Sequence, residues 1–219
     1  MTILSNAESG MELVYQEQWN GKHHFRVSSA EVAAPGRRVF GKEFIKNIQW
    51  KTRPVPKKIK WLYAEWQPAY KDMTGIEFIE GIPTDLNLTG EPTLLIIDDL
   101  MQETDSRITK LFTKGSHHRN VSVMYIVQNI FSKNKEHRTI SLNAQYIVLF
   151  KNPRDATQIE HLARQMYPGK TAYMREAFKD ATQRSYGYLV IDLRQETPDH
   201  ARLRTNIFPP EYETVYVQK

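Results

Sequence analysis

The stretch Leu94-Leu95-Ile96-Ile97-Asp98-Asp99 constrains this chain more than any other. Four apolar residues, two of them β-branched, lead straight into two carboxylates. A short unbroken apolar run has no solvent face, so it fits a strand covered on both sides, as in a parallel sheet. Open α/β sheets bind ligands beyond the carboxyl ends of such strands, which is where the two acids fall. Adjacent strand side chains point to opposite faces, so the pair can serve one centre only if the chain turns there. Given that turn, one carboxylate can hold Mg²⁺ through water while the other polarises an attacking water. That is the acidic half of a nucleoside triphosphate site. A strand followed by an aspartate helix cap has the same sequence, and the hexapeptide leaves both readings open.

The rest of the chain alternates strand-like and helix-like segments. Strands are expected at 24–29, 58–64, 76–79, 93–98, 121–127, 146–150 and 186–192, with 11–15 and 202–208 as edge segments. Helical spacing of apolar residues marks 38–50, 105–113, the helix opened by Asn152-Pro153-Arg154-Asp155, and 173–181, with a short helix at 139–143. Alternation of this kind implies an α/β fold with a mostly parallel sheet and helices on both faces. No internal repeat, low-complexity tract or domain-sized linker interrupts it. Residues 1–22 read as a loosely ordered lead-in, 23–208 as one domain, and 209–219 as a C-terminal tail.

Composition narrows the function classes. The 219 residues can bury a sizeable core, and 40% hydrophobic with 25% charged residues is ordinary for a globular protein. There is no cysteine, so disulfides and thiolate metal sites are excluded. No apolar run is long enough to span a bilayer, and the first ten residues lack the apolar core of a secretory signal. The expectation is therefore an intracellular protein, nuclear or cytoplasmic or carried in a virion, with no membrane partner. A formal charge of +5 and a pI near 9.2 lean mildly toward a polyanion such as nucleic acid.

Other polar residues fall at strand ends or in loops. Gln128 follows the apolar run ending at Val127, where an amide can sense a γ-phosphate or orient a water; a strand-end amide bonded to a loop fits equally. His117 and His118 are adjacent, so their side chains diverge and suit no shared metal. Arg119 and Arg138 carry the planar, permanent charge suited to an arginine finger, and each also fits a solvated basic surface. Lys110, Lys114, Lys133 and Lys135 could touch phosphates.

Taken in order, LLIIDDLMQETD, LFTKGSHHRN, VMYIVQN, KEHRTISLN, YIVLFKNPRDATQIEHLARQMYPG and AFKDAT…YGYLVIDL resemble the viral genome-packaging ATPases of the FtsK/HerA superfamily. The similarity is to the poxvirus-like type encoded by Polinton (Maverick) elements and adintoviruses, and it runs from about Trp61 to Phe208. The resemblance implies a RecA-like P-loop NTPase core over 23–208, ATP and Mg²⁺ as cofactors, and a homo-oligomeric ring. It further implies a motor that drives double-stranded DNA into a capsid, with a capsid or portal-like protein as partner. Asp98 then matches the Mg²⁺-coordinating acid, Asp99 the catalytic acid and Gln128 the polar sensor.

The chain departs from that family at one place. A phosphate loop GxxxxGKS/T should lie between Ser29 and Phe40, where the sequence is Ala30-Glu31-Val32-Ala33-Ala34-Pro35-Gly36-Arg37-Arg38. Gly36, Arg37 and Arg38 are the residues left to meet a nucleotide. Glu31 brings an anion toward phosphate, Pro35 has no N–H to donate, Arg37 lacks a compact ammonium and Arg38 has no hydroxyl for Mg²⁺. ATP binding should be poor and the motor impaired. The alternatives are a catalytically inactive ring subunit or DNA-binding scaffold, and a nuclease using the paired acids with Asp192 as third acid. The genetic code permits one repair. If Ala30 to Arg38 were encoded GCG GAG GTA GCG GCT CCG GGA AGA CGG, the same nucleotides read from the third would encode Gly-Gly-Ser-Gly-Ser-Gly-Lys-Thr, a full phosphate loop with a lysine hidden under Arg37, so a pair of compensating frameshifts flanking the segment would account for its loss.

Overall fold

The computed structural model describes residues 2–5, 11–16, 27–28, 35–88, 90–115, 120–129, 131, 134–153 and 156–218. They fall into two compact units, named here for their place in the chain. The middle unit holds Gly21–Ala30 and Phe44–Gln145; the terminal unit holds Met1–Asn20, Glu31–Glu43 and Tyr146–Lys219.

The middle unit carries a parallel sheet of β3 (Val27–Ser28), β4 (Lys58–Tyr63), β5 (Glu77–Glu80), β6 (Thr93–Asp98) and β7 (Val121–Ile126). Their lateral order is β3-β7-β6-β4-β5. Every residue of β6 is buried, as its unbroken apolar run requires. β6 is hydrogen-bonded to β4 on one side and β7 on the other. Helices α2 (Ile48–Lys51), α3 (Ser106–Lys110) and α4 (Lys135–Leu142) belong to this unit. Two caps fix where α3 and α4 start. Asp105 accepts from the Arg107 N–H at 2.8 Å, and Asn134 from the Glu136 N–H at 2.7 Å. The helix expected over 105–113 keeps its apolar face of Ile108, Leu111 and Phe112 buried, but its second half is a π-helical turn, Leu111–Gly115.

Parallel strands present their carboxyl ends at one edge of the sheet, and the register shows what meets there. Tyr125 of β7 pairs with Ile97 on one side and with Ser28 on the other. The last residue of β3 therefore stands level with the residue before Asp98. One strand intervenes, so the two lie roughly 10 Å apart at ordinary strand spacing.

The terminal unit is antiparallel. Its strands are β1 (Thr2–Ser5), β2 (Met11–Gln16), β8 (Tyr146–Phe150), β9 (Tyr188–Asp192), β10 (Leu203–Thr205) and β11 (Glu213–Gln218). They lie in the order β1-β2-β11-β10-β9-β8. Helices α5 (Thr157–Met166) and α6 (Thr171–Ala181) belong to it. Helix α1 spans Pro35–Lys46, and the division between units falls within it.

The fold is thus mixed α/β, with the parallel arrangement confined to the middle unit. The short links from β9 to β10 and from β10 to β11 allow antiparallel return, which needs no crossover helix. Residues 202–208, expected at an edge, contain the internal strand β10, paired on both sides. Residues 209–219, expected as a tail, contain β11, which pairs along its whole length with β2 from the expected lead-in. Helix α1 starts at Pro35, earlier than its apolar spacing suggested, because proline's fixed φ and missing N–H suit a first turn. The expected strand over 24–29 is described only at Val27–Ser28. No helix among the described residues is long and apolar enough to cross a membrane.

Candidate functional site

β6 delivers the two acids differently. Asp98 is its last residue and is 3% exposed, and its Oδ2 accepts a hydrogen bond from the Tyr70 hydroxyl at 2.8 Å. A buried carboxylate needs such donors, because desolvating an unpaired charge is expensive. Tyr70 sits in the 3-10 turn Pro68–Tyr70 that follows β4. Its ring stacks on Phe78 at 5.0 Å and lies against Trp61, Tyr63 and Trp66 at 5.4–5.7 Å. This aromatic packing holds the ring whose hydroxyl reaches Asp98.

Asp99 is exposed, and its backbone is left-handed, with φ of 60°. Aspartate tolerates that region better than most residues. Its N–H donates to the Ile126 carbonyl at 3.2 Å, so the strand pairing ends on the turn itself. Here is the bend that the paired acids required. It takes Asp99 out of the strand's alternation, and its Oδ1 accepts from Nε2 of Gln128 at 3.0 Å. Asp98, Asp99 and Gln128 are therefore gathered at the carboxyl ends of two neighbouring strands. The helix-cap reading does not apply to Asp99: the capping aspartate of α3 is Asp105.

The chemistry follows from exposure. Asp98, buried and held, suits a cation-facing role in which the carboxylate geometry must not change. Asp99, exposed beside an amide, suits accepting a proton from, or polarising, a water that Gln128 orients. Mg²⁺ keeps several waters and is bound by one or two carboxylates together with substrate phosphates. Two adjacent acids fit that requirement. Among the described residues there is no group of three or more His, Asp or Glu side chains suited to a protein-only metal cage.

Arg138 is exposed on α4. Arg119, with His117 and His118, lies outside the described residues, as do 29–34. Arg38 is half-buried in the first turns of α1, and the side chain of Arg37 lies outside the described set. Gly36 is buried; a Cβ there would come 3.3 Å from the Phe150 ring, so its small size serves close packing. The chain also carries Gly169-Lys170-Thr171, the last letters of a phosphate loop, but they join helix α5 to helix α6, with Arg164 where the first glycine belongs. A phosphate loop joins a strand to a helix.

Asp192, the third acid of the nuclease alternative, lies in the terminal unit and has a structural partner. Its carboxylate is gripped by Arg194 through Nε at 3.0 Å and Nη2 at 2.7 Å. Burial pushes the Asp192 pKa up, and the Arg194 hydrogen bonds and charge more than offset this and hold it below the ordinary value.

Sequence reasoning missed Tyr70, which donates to Asp98, and the buried group Thr104, Tyr125 and His137, whose polar atoms meet one another in the middle unit. Tyr70 carried no signal, since Pro68-Ala69-Tyr70 reads as a chain break. A lone histidine at the start of a helix is equally silent.

No protein-family model and no curated protein matches the chain. Among solved structures, the cytoplasmic domain of EssC aligns with 88% of this chain at 13% identity and a TM-score of 0.43. The alignment covers 39% of that chain, so this protein spans about two fifths of its length. A likeness at that level carries no argument about fold or activity.

Proposed function

We propose that the middle unit is a RecA-like nucleoside triphosphate site, and that the chain is an ATPase-type subunit of a viral DNA-packaging motor. One observation carries the reading: Asp98 and Asp99 diverge at a left-handed turn, one buried on Tyr70 and the other exposed on Gln128. A buried acid for the metal and an exposed acid with an amide for the water are the parts that phosphoanhydride hydrolysis needs. The register supports it, since Ser28 at the end of β3, where the phosphate loop of such a core would begin, stands level with Ile97, the neighbour of Asp98. Bound Mg²⁺ would neutralise phosphate charge. Asp98 would hold it through water, Asp99 would take up the proton of the attacking water, and Gln128 would orient that water. Arg138 or Arg119 would reach the phosphates of a neighbouring subunit in a homo-oligomeric ring. Double-stranded DNA and a capsid or portal-like protein complete the proposal, on the strength of the sequence resemblance.

A second reading has its own observation. The sequence of 30–38 lacks a phosphate loop, and Gly36 is packed against Phe150 rather than left open to a ligand. That favours an ATPase-like ring subunit or DNA-binding scaffold that does not turn over. Calorimetric titration of the chain with Mg-ATP, followed by hydrolysis assays with and without double-stranded DNA, separates them. Saturable Mg-ATP binding with DNA-stimulated phosphate release supports the motor; DNA binding without either supports the scaffold. Binding of neither ligand defeats both.

A further inference from the structure

The segment that follows Asp99 is fastened by a chain of buried hydrogen bonds whose proton directions can be deduced. Thr104 Oγ1 donates to the Leu100 carbonyl at 2.9 Å and lies 2.7 Å from the Tyr125 hydroxyl. The threonine proton is committed, so Tyr125 donates to Thr104. The phenol oxygen then has only lone pairs to offer His137, whose Nε2 is 3.1 Å away. Nε2 must therefore carry a proton, and the same N–H lies 3.0 Å from the Met101 carbonyl. His137 Nδ1 is buried with no hydrogen-bond partner among the described residues. A second proton there would have no acceptor, so the ring is neutral, and burial lowers its pKa accordingly.

This chain touches both halves of the candidate site. Leu100, Met101 and Thr104 directly follow Asp99, Tyr125 lies on the strand that leads to Gln128, and His137 comes from α4. Asp99 needs such support: a non-glycine residue in a left-handed turn costs on the order of 1–3 kcal/mol and persists only where its surroundings fix it. We propose that His137, neutral and protonated on Nε2, is a positioning residue that clamps the segment 100–104 against β7 and so keeps the Asp99 carboxylate on the Gln128 amide. Its bearing on turnover rests on the nucleotide reading above. The clamp itself does not.

Two variants of the full chain test it. His137→Leu removes the donor, whereas His137→Gln places an amide N–H near the position of Nε2. Mg-ATP turnover should fall about 10- to 100-fold in the leucine variant with KM within roughly twofold, and return to within about threefold of wild type in the glutamine variant. Amide exchange supplies a readout independent of activity. The Asp99 N–H, bonded to Ile126 at 3.2 Å, should lose more protection in the leucine variant than global stability accounts for, and regain it with glutamine. Nitrogen-15 spectra should show a neutral ring with the proton on Nε2. Unchanged turnover in His137→Leu, or a glutamine variant no better than leucine, overturns the proposal while leaving the site reading intact. If the wild type does not turn over Mg-ATP, the site reading falls, and exchange and spectra decide the clamp. An Nδ1–H ring or unaltered Asp99 protection then overturns it.

Discussion

Gln128 and Asp99, twenty-nine positions apart in sequence, meet through an amide-to-carboxylate hydrogen bond of 3.0 Å. The bond crosses from the end of β7 to the turn that ends β6. On the proposed ATPase reading, Asp99→Asn preserves the turn and removes the charge, so Mg-ATP affinity should stay within a few-fold while turnover drops about 100-fold or more. Gln128→Ala should cost less, about tenfold, since it removes an orienting group and not the acid. Steady-state phosphate release, read beside a binding isotherm, checks both.

If the chain is a P-loop-type ATPase as proposed, a phosphate loop supplied after β3 should confer nucleotide affinity. Replacing eight residues within Ala30 to Arg38 by Gly-Gly-Ser-Gly-Ser-Gly-Lys-Thr supplies backbone donors, a lysine and a Mg²⁺-facing hydroxyl after β3. Mg-ATP affinity should then rise at least about tenfold, equivalent to 1.4 kcal/mol, and the gain should vanish in an Asp98→Asn background. The gene gives a second check: a CGN codon at Arg37 removes the hidden lysine and ends the frameshift explanation.

Breaking the buried ion pair of the terminal unit should be costly. Arg194 and Asp192 side chains are 6% and 2% exposed and 2.7 Å apart. Arg194→Ala leaves that buried carboxylate with only the more distant Arg204 Nη2 at 3.9 Å as cationic partner, and urea unfolding should show a loss of about 3 kcal/mol. Replacing both partners by uncharged residues of similar volume should recover most of it.

The neutral His137 gives the middle unit a pH signature. Its folded pKa lies below the ordinary 6.5 because burial outweighs the Met101 carbonyl and the Glu136 charge, which both pull the other way. The unfolded chain therefore binds more protons between the two values, so this contribution is complete above about pH 6.5 and fades as pH falls toward the folded value. The urea midpoint should drop between about pH 7.5 and pH 5.5, and His137→Gln should flatten that part of the profile.

Strands buried on both faces were legible because such burial writes itself as an uninterrupted apolar run: β6 and β7 of the parallel sheet, and β8 of the terminal unit, fall within a residue or so of their expected bounds. Other strands in the terminal unit were harder, because compensated charge hides burial. β11 opens with Glu213, which reads as solvent-facing, yet it is buried because Arg204 Nη1 lies 3.0 Å from its Oε1. The acids and the amide were visible as strand-end polar residues. Their supporting shell was not, because Tyr70, Tyr125 and His137 act through contacts 12 to 36 positions distant in sequence.

The sign of one backbone angle decides which substitutions at position 99 can be interpreted. Glycine enters the φ of 60° freely and asparagine more readily than most residues, so a variant carrying either that loses turnover has lost the carboxylate's chemistry. Valine or isoleucine would resist it, and inactivity there would report a misplaced chain. Saturation mutagenesis at Asp99 would accordingly sort into two populations, distinguished by melting temperature before any substrate is added.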